Sequence, residues 1–248
     1  MSALEVVLLV CAGLVGGLTG SIAGLASLVS YPALLAVGLG PIGANVTNTV
    51  ALVFSTIGST LGSRPELAGQ ARRLRPLAVA ALAGGATGAT LLLLTPSDVF
   101  ERLAPWLIGV ASLTILVRPR AHPEHRRPGA GAGLIAGVFA IAVYGGYFGA
   151  AAGVMVLALM LAATGETLAR SNAFKNVVLG VANAAAAVGF ALLGPVHWGA
   201  AAPLALGLLA GGRLGPVVVR RADATALRVL IGLAGLALAV KLGVDAYA

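Results

Sequence analysis

From Val6 to Ser63 the chain runs 58 residues without an Asp, Glu, Lys or Arg. An average soluble domain is about 25% charged, so a water-soluble fold could not expose such a stretch. A bilayer-spanning helix needs roughly 20 apolar residues, and this run can hold more than one. Charge-free runs recur from Pro128 to Gly165 and from Asn176 to Gly212. Over all 248 residues only 10% are charged, and the mean hydropathy is +1.00. The fold class that follows is an all-α polytopic membrane protein. An outer-membrane barrel is excluded, because its strands alternate apolar and polar residues and these runs do not.

The net charge of +8 does not indicate nucleic acid. The basic residues sit mostly in short loops, where they set orientation in the membrane. The single Cys11 can form no internal disulfide. Residues 1–25 carry only Glu5 as a charge and no basic n-region, so they read as a first span and not a cleaved signal.

Gly, Pro and charge clusters divide the chain into ten apolar segments, approximately 4–20, 25–38, 43–62, 76–95, 103–117, 129–148, 153–164, 167–192, 199–219 and 229–245. Eight to ten transmembrane helices follow. The second and seventh segments are too short to cross a hydrocarbon core of about 30 Å. They suit half-helices or re-entrant pieces packed among other helices.

The stretch from Arg118 to Pro128 separates two similar halves. Gly20-x-x-x-Gly24 matches Gly149-x-x-x-Gly153 at an offset of 129. Asn45, Asn48, Thr49 and Thr56 match Asn172, Lys175, Asn176 and Asn183 at 127. Pro76 and Gly84-Gly85-x-x-Gly88 match Pro203 and Gly211-Gly212-x-x-Gly215, again at 127, and Leu107-Ile-Gly109 matches Leu230-Ile-Gly232 at 123. A duplication is expected, with repeats at 1–117 and 129–248 around a basic linker at 118–128. The loops at 63–75, 118–128 and 220–228 are basic, whereas 95–102 and 194–198 are not. The positive-inside tendency then puts the first three in the cytoplasm, both termini outside, and the second repeat inverted relative to the first.

Inverted repeats with broken helices are a recurring transporter architecture, with the site at the repeat interface. At about 100° per residue, Asn45, Asn48, Thr49, Ser55, Thr56, Ser59 and Thr60 share about 140° of the third segment. Asn172, Lys175, Asn176 and Asn183 share about 100° of the eighth. Lys175 is the sharpest of these. A cation deep in a bilayer costs at least ~2.5–3.5 kcal/mol and normally has a partner, yet Glu166 falls on the opposite helix face. An anionic substrate is the expected partner; binding to the carbonyls of a broken helix, or snorkelling, is the alternative. Arg170 and Lys241 read as interfacial anchors, and Arg213 as the same or a second anion contact. Gly20, Gly24, Gly149 and Gly153 fall where long segments give way to short ones, so the backbone there could unwind and offer N–H groups to an anion.

No metalloprotease, serine-hydrolase or P-loop motif is present, and no embedded carboxylate pair or histidine offers a general base. An enzyme is not expected, nor a cofactor or metal. A passive assembly subunit would explain the Gly-rich packing but not two matched polar stripes.

Pro41-Ile-Gly-Ala-Asn45-Val-Thr-Asn48 and Leu61-Gly-Ser-Arg64-Pro-Glu-Leu67 resemble the first repeat of the sulfite exporter TauE/SafE family. Asn172-Ala-Phe-Lys175-Asn176, Gly194-Pro-Val-His-Trp198 and Gly211-Gly-Arg-Leu-Gly215 resemble its second. The resemblance implies a permease for sulfite, sulfonates or related small anions in the bacterial cytoplasmic membrane. His197 stands where members often have Asp, and Arg213 where a neutral residue is expected. The expected substrate-binding set is Asn45, Asn48, Thr49, Asn172, Lys175, Asn176, Gly20, Gly24, Gly149 and Gly153. The expected partners are a small anion and the lipid bilayer, with no nucleic acid; a homodimer is compatible with this reading. A carboxylate carrier on the same fold is the competing transport reading.

Overall fold

The computed structural model describes residues 1–116 and 131–219, and in the last segment 233, 236, 237, 239–244 and 246. The 118–128 linker, the 220–228 loop and the Leu230-Ile-Gly232 match lie outside the described residues. What is described is helical, and each helix begins or ends for a local reason. Helix α1 (Ala3–Ala23) opens on a capping box, in which Ser2 accepts from the Glu5 N–H while the Glu5 carboxylate accepts from Ser2. It ends at Gly24, whose φ of 76° is the left-handed conformation glycine tolerates. Helix α2 (Ser27–Ala36) follows after a short break and has only 10 residues. Helix α3 (Pro41–Gly62) starts with proline in its first turn. A single turn, α4 (Arg64–Leu67), leads to α5 (Ala71–Leu94) and α6 (Ser97–Leu116).

The second half also places a short helix between two longer ones. Helix α7 (Ala132–Tyr147) gives way at Gly149 and Ala151, with φ of 78° and 58°, to the 13-residue α8 (Ala152–Thr164). Gly165 ends α8 in the left-handed conformation, and Thr167 caps the 26-residue α9 (Leu168–Leu193) through the Arg170 N–H. Helix α10 (Trp198–Val219) completes the described bundle. The short second and seventh segments are thus helices of about 15 and 20 Å at 1.5 Å per residue.

Two boundaries differ from the sequence expectation. Helices α5 and α6 begin at Ala71 and Ser97, several residues before positions 76 and 103, and carry Pro76 and Pro105 inside. A proline forfeits one backbone hydrogen bond, and packed neighbours allow a membrane helix to continue through it. Arg72, Arg73 and Arg75 consequently lie in the first turns of α5 and not in a loop.

The distribution of polarity is that of a chain folded in lipid. Asn45, Thr47, Asn48, Thr49 and Ser59 of α3 and Ser171, Asn172, Lys175 and Asn176 of α9 are buried. Leu4, Val79, Leu82, Val110, Leu192, Leu193 and Leu206 are exposed. Among the described residues four helices, α1, α5, α9 and α10, are long and apolar enough to cross a membrane. Helix α3 matches them in length. The protein is an all-α polytopic membrane protein.

Helix packing brings the two halves together. Helix α1 packs on α10 and α7 on α5; α3 lies between α10 and α9, and α5 packs on α9. Glycines set the approach. A Cβ on Gly85 would meet the backbone of Ala182, and one on Gly212 the backbone of Ser55, both closer than 3.0 Å at their nearest atom. Small residues at such crossings let backbones touch where lipid offers no hydrophobic drive for association.

Candidate functional site

The two helix breaks cross. A Cβ on Gly24 would fall within 3.0 Å of the Gly153 backbone, and one on Gly153 would meet Gly24 as closely. Gly24 also has positive φ, so conformation and space both require glycine there. Beside the crossing lies a cavity of about 500 Å³ of empty space, counting the part that opens outward. Helix α1 contributes Gly20, Ser21 and Gly24; the start of α2 contributes Ala26 and Ser27; the second break contributes Gly149, Ala152 and Gly153. The walls are Leu52, Ser55, Thr56 and Ser59 of α3 and Asn176, Leu179 and Asn183 of α9.

Two features give this cavity its chemistry. The first turns of α2 and α8 border it, and neither N-terminus has a side-chain cap. Backbone carbonyls take several of the first N–H groups, those of Leu28 and Val29 in α2 and of Ala152 and Val154 in α8, and the positive end of each helix dipole favours anions. Second, Asn176 Nδ2 and Ser21 Oγ are buried without a hydrogen-bond partner, in residues only 6% and 1% exposed. Unpaired polar groups at such depth cost free energy; Asn176 lines the cavity, whereas the Ser21 side chain lies against Gly215 of α10. The Thr56 and Ser59 hydroxyls donate within α3, to the Leu52 and Thr56 carbonyls.

Of the residues expected from sequence, Gly20, Gly24, Gly149, Gly153 and Asn176 line the cavity. The others hold its frame. Lys175 is fully buried, and its Nζ donates to the carbonyls of Gly20 (2.9 Å) and Ser21 (3.2 Å) in the last turn of α1. Asn172 donates to the Ser21 carbonyl at 2.8 Å. An ammonium at a helix C-terminus meets the negative end of the dipole, and the Gly20 carbonyl accepts from the Gly24 N–H as well. The partner expected to be an anion is therefore, in this conformation, the end of a broken helix. In the other half Asn45 Nδ2 donates to the Tyr147 carbonyl at the end of α7, at 2.9 Å. Asn48 accepts from Ser30 and donates to Ser27 of α2, and Thr49 donates to the Asn45 carbonyl. Each polar stripe thus ties down the helix ends of a break.

Ser21 and Ser27 were not in the expected set. Their only signal is position, one beside Gly20 and the other just past Gly24, where hydroxyls are common in any Gly-rich helix. Arg213 is exposed and does not border the cavity. Outside the spans, Glu166 takes Arg73 at 2.5 Å and Arg170 at 2.8 Å. The hydrogen bond from Arg170, and after it that from Arg73, holds the Glu166 carboxyl below the usual carboxylate range against a partial burial that pushes it up. Among the described residues no cluster of His, Cys, Asp and Glu could hold a metal ion.

Known proteins are similar to this one along nearly the whole chain. A probable membrane transporter protein YfcA of Escherichia coli K12 is 27% identical over 238 residues, covering 94% of this chain and 88% of its own length. A probable membrane transporter protein of Haemophilus influenzae is 25% identical over 241 residues, 96% of this chain and 94% of its own length. The probable membrane transporter protein ORF9 of a Sinorhizobium species is 25% identical over 236 residues, with 94% and 90% covered. The sulfite exporter TauE/SafE family matches residues 8–242. With its helix breaks, its buried polar stripes and this match from end to end, the chain belongs to the sulfite exporter TauE/SafE family.

Proposed function

We propose that this protein is a transporter of small sulfur oxyanions or organic sulfonates in the bacterial cytoplasmic membrane, working by alternating access around the cavity where the helix breaks cross. One observation carries the reading: the first turns of α2 and α8, which no side chain caps, and the unpartnered Asn176 amide border a single cavity. Dipoles and neutral donors that converge on one point suit an oxyanion. They offer no nucleophile or general base for catalysis, so the reading is of a carrier and not an enzyme. Lys175 and Asn172 act on the site through α1, by fixing the carbonyl end of the break.

Two inverted repeats, 1–117 and 129–248, would supply one break each. The helix contacts support this. Helix α1 on α10 corresponds to α7 on α5, and α3 on α10 corresponds to α9 on α5. Gly85 against Ala182 and Gly212 against Ser55 are the same contact read from the two halves, each residue 127 from its counterpart. Such a pair of repeats can rock about a shared site to expose it to either side.

Purified protein in proteoliposomes tests the proposal through uptake of labelled sulfite, sulfoacetate, taurine, sulfate and a small carboxylate. Saturable uptake of sulfite or a sulfonate above empty liposomes is the expected result. A folded, reconstituted protein that moves the carboxylate and none of the sulfur anions would overturn it.

A further inference from the structure

The second break is bridged by a side chain that does not line the cavity. Tyr144 lies in the last turn of α7. Its backbone carbonyl accepts from the N–H groups of Phe148 at 2.9 Å and Gly149 at 3.1 Å, and its hydroxyl donates to the Ala150 carbonyl at 2.7 Å. One residue thus reaches from the end of α7 to the position before the N-cap of α8. That N-cap is Ala151, whose carbonyl accepts the first bonds of α8, from the Val154 and Met155 N–H groups.

Ala151 has a φ of 58° and is, among the described residues, the only one besides glycines with a positive φ. An L side chain in that conformation crowds the following carbonyl and is disfavoured. Such a residue persists only where its surroundings hold it. The first break meets the same need without a tether: its left-handed residue is Gly24, which carries no such penalty. Gly17 and Val15, at offsets of 127 and 129 from Tyr144, have no hydroxyl to offer. The Tyr144 tether works through the peptide plane. The Ala150 carbonyl and the Ala151 N–H belong to one rigid unit, so fixing the carbonyl fixes the rotation about φ of Ala151. That rotation sets the direction in which α8 leaves the break, and with it the place of Ala152 and Gly153 in the cavity wall.

We infer that Tyr144 is a positioning residue of the anion site: its hydroxyl holds Ala151 in the left-handed turn that aims the first turn of α8 at the cavity. The inference rests on the proposed anion site and adds the residue that keeps one of its two helix N-termini in place.

Equilibrium binding of sulfite and of methanesulfonate to the purified full chain, with thermal unfolding of the same preparations, tests it. Tyr144→Phe removes the hydroxyl and little else. Affinity for both anions should fall roughly two- to tenfold, the worth of one hydrogen bond, because apparent affinity scales with the fraction of protein whose site is competent. Ala151→Gly added to Tyr144→Phe should recover most of that affinity, since glycine holds a positive φ without a tether. A residue that only supports the fold would lower the unfolding temperature and leave the affinity of the folded protein as it was. Wild-type affinity in folded Tyr144→Phe would therefore overturn the inference, as would a loss that Ala151→Gly does not recover. If Tyr144→Phe alone does not fold, the double variant decides: binding near the wild-type level supports the tether, and failure to fold or to bind overturns it. Binding of neither anion to the wild-type chain would overturn the anion site itself, and the inference with it.

Discussion

Lys175 and Asn176 are neighbours on α9 with opposite duties, and substitutions can tell them apart. Lys175 holds two carbonyls of α1, so Lys175→Met should lower unfolding stability by ~1.5–3 kcal/mol, the worth of hydrogen bonds to a charged group. Lys175→Arg should not restore it, since the side chain is fully buried and a planar fork does not replace a compact ammonium. Asn176→Ala removes an amide nitrogen with no partner in the protein. It should leave thermal stability unchanged or slightly raised, and weaken anion binding by about 0.5–1.5 kcal/mol, up to roughly tenfold. A Lys175→Met protein more stable than wild type that has lost its anion affinity would make Lys175 a ligand after all. The sequence marks Lys175 because a cation inside an apolar helix must have a partner. It cannot name that partner, because the carbonyls of Gly20 and Ser21 lie more than 150 residues away and every residue has a carbonyl.

The breaks are the elements on which the site depends, and two glycines separate their requirements. Gly24 and Gly38 both have positive φ, at 76° and 89°, but a Cβ on Gly38 would meet nothing within 4 Å whereas one on Gly24 would collide with Gly153. Gly38→Ala should cost only the conformational strain of a left-handed residue, about 1 kcal/mol. Gly24→Ala should cost several times more and abolish transport, because α1 and α8 must part; thermal unfolding and uptake in the same preparations check both. At the far end of α8, Glu166 joins the start of α5 to that of α9 through Arg73 and Arg170. Its carboxyl is held low, so the stability it contributes is present above the ordinary glutamate range and is lost as pH falls below it. Glu166→Gln should remove that acid-side loss, with an effect at neutral pH of no more than about 1 kcal/mol, since both arginines are well exposed. Segment lengths and the Gly-x-x-x-Gly pairs make the breaks visible in the sequence. Ser21 and Ser27 stay hidden, because a serine beside a glycine is ordinary in any tightly packed membrane helix. The starts of α5 and α6 were misplaced for another reason: proline stops a helix in water more reliably than among packed helices in lipid.

At the scale of the whole molecule, the fold class and the polar stripes could be read from charge-free runs and helical spacing. The crossing of the breaks could not, since it depends on which helices meet. Topology is the first test at this scale. In a Cys11→Ala background, a cysteine at Asp98 should react with an impermeant thiol reagent on intact cells. One at Ala68 should not, since both positions are exposed but sit at opposite ends of α5. The reverse pattern would invert the proposed orientation. The central claim is that an oxyanion binds where the two broken helices cross. Anomalous diffraction from crystals soaked in selenite, a heavier relative of sulfite, locates that anion directly. The account predicts a peak inside the cavity, within hydrogen-bonding distance of Asn176 and beside the first turns of α2 and α8. A peak on Lys175 with its bonds to α1 broken, or an ordered selenite elsewhere with the cavity empty, would contradict it.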